Sequence, residues 1–178
     1  QQMEQSVSWH ALIKDIPDYP KAGIIFKDIT PLLANGPGFN AAIEEMAQFC
    51  EESGHQPDVL ACPEARGFIF ASALAQRLGI GFIPLRKPGK LPREVSRITF
   101  DLEYGQDTLE VHKDDVKSGM RVMMVDDVLA TGGTMDACIE LLRGLGANVI
   151  GAAFLMEIEG LHGRDKLGGI DVCSLVKC

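Results

Sequence analysis

Four apolar residues in a row, Val122-Met123-Met124-Val125, run without polar alternation into Asp126-Asp127, and few structures accept that order. A run of this kind fits a strand buried on both faces, which puts the two aspartates at its carboxyl end. Open α/β sheets bind ligands at that end. After Val128-Leu129 come Ala130-Thr131-Gly132-Gly133-Thr134, and then Met135, Cys138, Leu142 and Leu145 at helical spacing. The loop of small residues therefore opens a helix. Its backbone N–H groups and the positive end of the helix dipole together form a site for a phosphate dianion. Thr131 and Thr134 add hydroxyl donors. Charge-assisted hydrogen bonds contribute about 1.5–3 kcal/mol each, so a few of them hold a monophosphate without any lysine. Two carboxylates beside that site would repel a phosphate, so they face neutral hydroxyls or a divalent metal. A phosphate beside a diol describes a ribose 5-phosphate. Gly-Gly alone would be satisfied by an ordinary strand-turn-helix with capping aspartates, but the full order demands more. The loop lacks the Gly-Lys-Ser/Thr of a Walker motif and is not Gly-x-Gly-x-x-Gly.

The chain of 178 residues is expected to form one domain over 1–178. A chain of that size buries roughly 70% of its unfolded surface. It has no apolar run of 18 residues, so no membrane span is expected, and its polar start lacks a secretory pattern. A net charge of -8 argues against nucleic acid as a partner, because backbone phosphates require a basic face. Cys50, Cys62, Cys138, Cys173 and Cys178 are odd in number and lack Cys-x-x-Cys spacing. That speaks against a zinc site or a disulfide framework and fits a cytoplasmic protein. Four of them read as packing residues, with Cys178 a terminal thiol.

Trp9, Leu12, Ile13 and Ile16 recur at amphipathic helical spacing, and Pro17 ends the expected helix. Ile24 to Pro31 is extended by composition. Phe39, Ile43, Met46, Ala47 and Cys50 form the next helical stripe. Val59 to Cys62 reads as a buried strand, and Pro63-Glu64-Ala65-Arg66-Gly67-Phe68 leads from it into a helix closed by Gly79. This second strand-loop-helix carries an arginine where the first carries aspartates, and a parallel sheet would bring Arg66 to the same edge. The alternative is a surface pair of Arg66 with Glu64. Ile80 to Leu85 is the following strand. From Arg86 to Arg97, five of the seventeen basic residues fall within twelve positions broken by Pro and Gly. In an acidic chain that is the pattern of a mobile anion-binding lid. Ile98 to Leu102 and Thr108 to His112 flank Glu103-Tyr104-Gly105-Gln106-Asp107 as a hairpin, and Ala147 to Met156 and Val172 to Val176 are later strands.

The order from Asp126 to Thr134 resembles the phosphoribosyl pyrophosphate motif of the type I phosphoribosyltransferases. Two further stretches resemble the adenine branch of that family: Ile16-Pro17-Asp18-Tyr19-Pro20 with Gly23 to Thr30, and Leu102-Glu103-Tyr104-Gly105. Glu64 to Phe68 and Arg86 to Pro92 match as well. The resemblance implies an α/β fold with a central, mostly parallel sheet flanked by helices, an N-terminal base-binding hood over 1–33 and a flexible basic lid over 86–107. It implies magnesium-dependent transfer of phosphoribose from phosphoribosyl pyrophosphate to adenine, giving AMP and pyrophosphate, as in purine salvage. Ala130, Thr131, Gly132, Gly133 and Thr134 would hold the 5-phosphate, and Asp126 and Asp127 the ribose hydroxyls. Glu64, Ala65, Arg66, Lys87 and Lys90 would meet pyrophosphate, with a cis Glu64-Ala65 bond turning backbone N–H groups toward it. Ile25, Phe26 and Lys27 would contact adenine. Arg66, Glu103 and Tyr104 would serve catalysis, the last two closing over the reacting carbon. Magnesium would be held mainly by substrate, with no dedicated protein ligand set. A cytoplasmic homodimer is implied, with Arg86 near the partner's site. Ala22, Pro63 and Ala71 depart from residues usual in the family.

Two other functions share much of this pattern. Transfer to another purine base would use the same phosphate loop, and only Ile24 to Asp28 speaks against it. A sensor that binds phosphoribosyl pyrophosphate without chemistry would keep the loop but usually adds a DNA-binding module, for which this sequence has no basic helix.

Overall fold

Trp9–Leu12 is a single 3₁₀ turn and Lys14–Pro17 is a strand (β1), where the apolar spacing predicts one helix from Trp9 to Ile16. Trp9 is buried and its indole N–H donates to Glu45 at 3.1 Å, which fixes the turn. The residues after it pair antiparallel with Ile25–Asp28 (β2), setting Ile16 opposite Phe26 and Asp15 opposite Lys27. Ladder bonds and the Lys27–Asp15 ion pair at 2.5 Å override the helical spacing. The extended reading of Ile24 to Pro31 holds only to Asp28, because a one-turn helix, Thr30–Leu33 (α1), follows. Asp28 accepts from the backbone and hydroxyl of Thr30 at 2.9 and 2.7 Å.

The computed structural model describes residues 8–178. They divide into two units between Glu45 and Met46, inside the long helix Gly36–Glu51 (α2). The first unit holds the β1–β2 hairpin, α1 and most of α2.

The second unit is built on Val59–Pro63 (β3), Gly67–Leu78 (α3), Gly81–Leu85 (β4), Val95–Asp101 (β5), Gln106–His112 (β6), Arg121–Leu129 (β7), Gly133–Gly144 (α4), Asn148–Glu157 (β8) and Asp171–Lys177 (β9). Five strands form one sheet in the order β4-β3-β7-β8-β9, parallel throughout. The chain winds outward from β3 to β4 and returns to place β7 on the other side of β3. The strand order thus reverses between β3 and β7, and a crevice opens there at the carboxyl ends. β7 continues through the aspartates to Leu129, with Asp126 opposite Phe154 of β8. The aspartates therefore lie inside the strand and not after it.

Met124, Leu129, Cys138, Leu142, Ala152 and Phe154 are among the residues packed under the sheet in one cluster. Pro63 ends β3 and causes no loss of pairing to β7, since that ladder stops at Ala61. β5 and β6 form a separate antiparallel hairpin whose Leu109 and Val111 are buried in the core. Cys50, Cys62 and Cys138 are buried, Cys173 is half-buried, Cys178 is exposed, and all five are free. Burial pushes the Cys50 thiol up to about 12, so it packs as a neutral group. Among the described residues no helix is long and apolar enough to cross a membrane.

Candidate active site

The crevice at the sheet's reversal is lined by Pro63 and Glu64 from the end of β3, Asp126 and Val128 from β7, and the loop from Ala130 to Thr134, enclosing about 250 Å³. Gly132 begins α4 with φ of 84°, a left-handed conformation that side chains resist. A Cβ there would also stand 2.5 Å from the carbonyl oxygen of Gly163. Glycine is required on both counts, and the loop lies with its N–H groups at the start of a twelve-residue helix.

The loop after β3 reaches the same place. At Gly67 a Cβ would collide with Asp126 Oδ1 and stand 2.6 Å from Cys62 Sγ, so only glycine lets α3 begin against β7. That approach delivers Arg66, whose Nε lies 2.8 Å from Asp127 Oδ2. The arginine crosses to the aspartates and does not pair with Glu64. The contact is an ion pair out of line for a hydrogen bond, because buried Asp127 Oδ2 has no aligned donor. Asp126 Oδ1 accepts the N–H of Asp127 at 2.8 Å. Burial, and then the charge of Asp127, push the Asp126 carboxyl well above its ordinary 3.8.

The basic loop is arranged by carboxylates. Glu64 accepts from the Lys87 N–H at 2.8 Å and pairs with Arg86 at 3.3 Å and Lys90 at 3.2 Å. Burial alone would raise its carboxyl, but these partners together hold it below the ordinary range. The ammonium of Lys87 pairs with Asp107, and that bond first of all holds the Asp107 carboxyl low. Buried Glu110 exchanges two backbone hydrogen bonds with Arg86 at 2.9 and 2.7 Å, and its side chain accepts the Gly89 N–H at 3.0 Å. The Glu64–Ala65 peptide is cis. Glu103 and Tyr104 sit on the hairpin tip closed by the Leu102 N–H to Gly105 carbonyl bond at 2.9 Å. Tyr104 is 87% exposed. Among the described residues, no hydrogen bond, ion pair or ring contact joins these two side chains to the other expected residues.

In the first unit, Tyr19 and Phe26 meet edge to face at 5.2 Å and line a groove with Ile16, Asp28 and Thr30. Ile25 is exposed and Lys27 half-buried. Tyr19 and Thr30 were not among the expected base contacts, though the motif segments contain both.

For a divalent cation, the observation that bears on fit is Asp127 Oδ2, a buried carboxylate oxygen without an aligned donor, next to Asp126. Hard oxygen donors suit magnesium, which commonly takes one or two carboxylates and completes its shell with substrate phosphates and water. The residues present fit that arrangement. Among the described residues no group of three or more His, Cys, Asp or Glu is placed to hold a metal.

Residues 32–172 match the model of the Phosphoribosyl transferase domain family. An adenine phosphoribosyltransferase from Dichelobacter nodosus is 70% identical over 172 residues, covering 97% of this chain and 99% of that one. The crystal structure of adenine phosphoribosyltransferase from Thermoanaerobacter pseudethanolicus is 52% identical with a TM-score of 0.89, covering 95% of this chain and 97% of that one. The Saccharomyces cerevisiae enzyme, complexed with an imino-altritol bisphosphate and adenine, is 38% identical with a TM-score of 0.88, over 94% and 96%. The winding of the sheet, the glycine loop and the arginine that meets its aspartates thus occur in a chain that belongs to the phosphoribosyl transferase domain family, in its adenine phosphoribosyltransferase branch.

Proposed function

We propose that this chain transfers the 5-phosphoribosyl group of phosphoribosyl pyrophosphate to adenine, yielding AMP and pyrophosphate, and so serves purine salvage. A ring nitrogen of adenine forms the new bond to the anomeric carbon. The bond from that carbon to pyrophosphate breaks, its electron pair leaves with pyrophosphate, and adenine gives up a proton. The observation that carries the reading is Arg66 held 2.8 Å from Asp127 in the crevice beside the glycine loop. A cation and a carboxylate thus stand side by side in the crevice that the glycine loop lines, which supports the reading.

In this reading the backbone of Ala130 to Thr134 and the hydroxyls of Thr131 and Thr134 hold the 5-phosphate. Asp126 and Asp127 accept from the ribose hydroxyls, which orient the anomeric carbon. Negative charge develops on the departing pyrophosphate, and Arg66, Lys87, Lys90 and the backbone of Glu64 and Ala65 stabilise it. Lys87 and Lys90 can exchange their present partners, Asp107 and Glu64, for the leaving group, since both are about half exposed. Phe26 stacks on the adenine ring, with Ile25 and Lys27 contacting its edge, and the aromatic groove with Tyr19 supports that role. Glu103 and Tyr104, on the exposed tip, close over the reacting carbon, where carboxylate charge opposes the positive charge building on ribose. Magnesium arriving with the substrate would supply further charge neutralisation there, with Asp126 and Asp127 the carboxylates that would offer it an oxygen. The whole chain works as one phosphoribosyltransferase domain, with 1–33 as the base-binding hood and 86–107 as the lid, in a cytoplasmic homodimer as the branch implies.

The test is pyrophosphate release in a coupled assay with phosphoribosyl pyrophosphate and magnesium. Release that requires adenine and is matched mole for mole by AMP supports the proposal. Release without adenine, or none with it, contradicts it.

A further inference from the structure

The 5-phosphate loop itself contains no basic residue, and its neighbours on β7 are acidic. A cation arrives from elsewhere in the fold. The connection between β8 and β9 contains the 3₁₀ segment Gly163–Leu167, which packs against α4. Three contacts fix it. Arg164 donates to both oxygens of buried Glu157 at 2.7 and 3.2 Å and to the Val172 carbonyl at 3.0 Å. Leu167 is inserted in the core cluster. Gly163 lies so close to the loop that a Cβ on it would overlap the Ala130 carbonyl and come within 3.1 Å of the Gly132 nitrogen.

With the segment held at 163, 164 and 167, Lys166 is presented to the loop. Its Nζ lies 4.0 Å from the point where a Cβ on Gly133 would stand. Lys166 is exposed and, among the described residues, makes no ion pair or hydrogen bond. An ammonium directed at the first turn of a helix faces the positive end of the dipole and N–H groups without acceptors, an arrangement that repels it. Lys27, Lys87, Lys90 and Lys113 pair with carboxylates, and what sets Lys166 apart from the other unpaired lysines is its place at the start of α4. A lysine fixed beside a helix start, with no carboxylate, is accommodated once an anion lies between the ammonium and the helix.

We infer that Lys166 is a binding residue for the 5-phosphate, closing over the outer side of the dianion that the Ala130 to Thr134 backbone holds from beneath. The inference rests on the reading of that loop as the 5-phosphate site. Lys166 touches only the non-reacting end of the substrate, so its effect falls on binding and not on the chemical step.

The test compares wild type, Lys166→Ala and Lys166→Arg by calorimetric titration with ribose 5-phosphate and, separately, inorganic pyrophosphate, alongside steady-state kinetics. Loss of one charge-assisted bond should weaken ribose 5-phosphate about tenfold in Lys166→Ala, with pyrophosphate affinity changed by less than about twofold. KM for phosphoribosyl pyrophosphate should rise while kcat stays near wild type, and Lys166→Arg should recover most of the loss. Equal affinity of wild type and Lys166→Ala for ribose 5-phosphate would overturn the inference, as would equal loss of both ligands. If wild type binds pyrophosphate but no ribose 5-phosphate, the loop itself has been misread and the inference falls with it.

Discussion

The glycine loop from Ala130 to Thr134 and the basic loop from Arg86 to Arg97 both meet anions in the proposed reaction, by opposite constructions. The glycine loop presents backbone N–H groups whose positions are set by a left-handed Gly132, the start of α4 and the abutting Gly163. The basic loop presents long side chains, and Glu64 and Asp107 already occupy Arg86, Lys87 and Lys90. Backbone donors cannot turn away, so the first site is ready before substrate arrives and does not exchange partners. Lys87 and Lys90 are half exposed, and Glu64 and Asp107 keep the backbone N–H bonds of Lys87 and Thr108 when the ammonium groups leave, so the second set can pass from protein carboxylate to pyrophosphate. In the proposed reaction, the end of the substrate that never reacts would meet the rigid site, and the end that departs the exchangeable one.

If rigidity at the first site matters, the largest loss should come from one methyl group. Gly132→Ala places a Cβ against Gly163 and strains the backbone, and kcat/KM for phosphoribosyl pyrophosphate should fall about 100-fold. A variant with near-normal kinetics would show that the loop is compliant. The basic loop should behave differently. Lys87→Ala and Lys90→Ala should each weaken pyrophosphate about tenfold, an effect that shrinks as salt is raised because both groups are solvent-exposed. Ribose 5-phosphate binding should be nearly unchanged by either, and equal loss of both ligands would erase the contrast between the loops.

The hairpin tip tests whether charge at the reacting carbon comes from a part that moves. Glu103→Ala should lower kcat about tenfold while leaving KM for adenine close to wild type. Unchanged kcat and Michaelis constants would remove Glu103 from the mechanism. The smallest effect is on stability. The folded Asp126 carboxyl titrates above its ordinary 3.8, so its stabilising contribution is full below 3.8 and is lost as pH rises through the raised value. Asp126→Asn, which does not titrate, should therefore gain stability relative to wild type as pH rises, read by urea denaturation across a pH series. A difference between the two that does not change with pH would show that the Asp126 carboxyl is not displaced in the folded chain.

The same contrast separates what was legible in the sequence from what was not. Val122 to Val125 and Val59 to Cys62 are unbroken apolar runs followed by loop residues and helical stripes, so both strand-loop-helix units could be read from order alone. The glycine loop was legible for a related reason: a backbone-built site needs its residues adjacent in the chain. Arg66 was reachable by the rule that places loops at one sheet edge, but its partner Asp127, sixty-one positions on, was not. Glu64, Asp107 and Glu110 as holders of the basic loop, and Gly163 against Gly132, arise from pairings distant in sequence that leave no periodic signal. Trp9 to Ile16 misled because four apolar residues at helical spacing also fit a turn followed by a strand, and the ladder with β2 decided between them. Lys166 lies in no motif and on no periodic stripe of the sequence. Only the packing of its segment on α4 gives it a place.

The most direct measurement of the central claim is a competition in one vessel: phosphoribosyl pyrophosphate and magnesium with equal amounts of adenine, hypoxanthine, guanine and xanthine, and the nucleotides separated by chromatography. The account predicts AMP as essentially the sole product. A predominance of IMP, GMP or XMP, or no nucleotide at all, would contradict it.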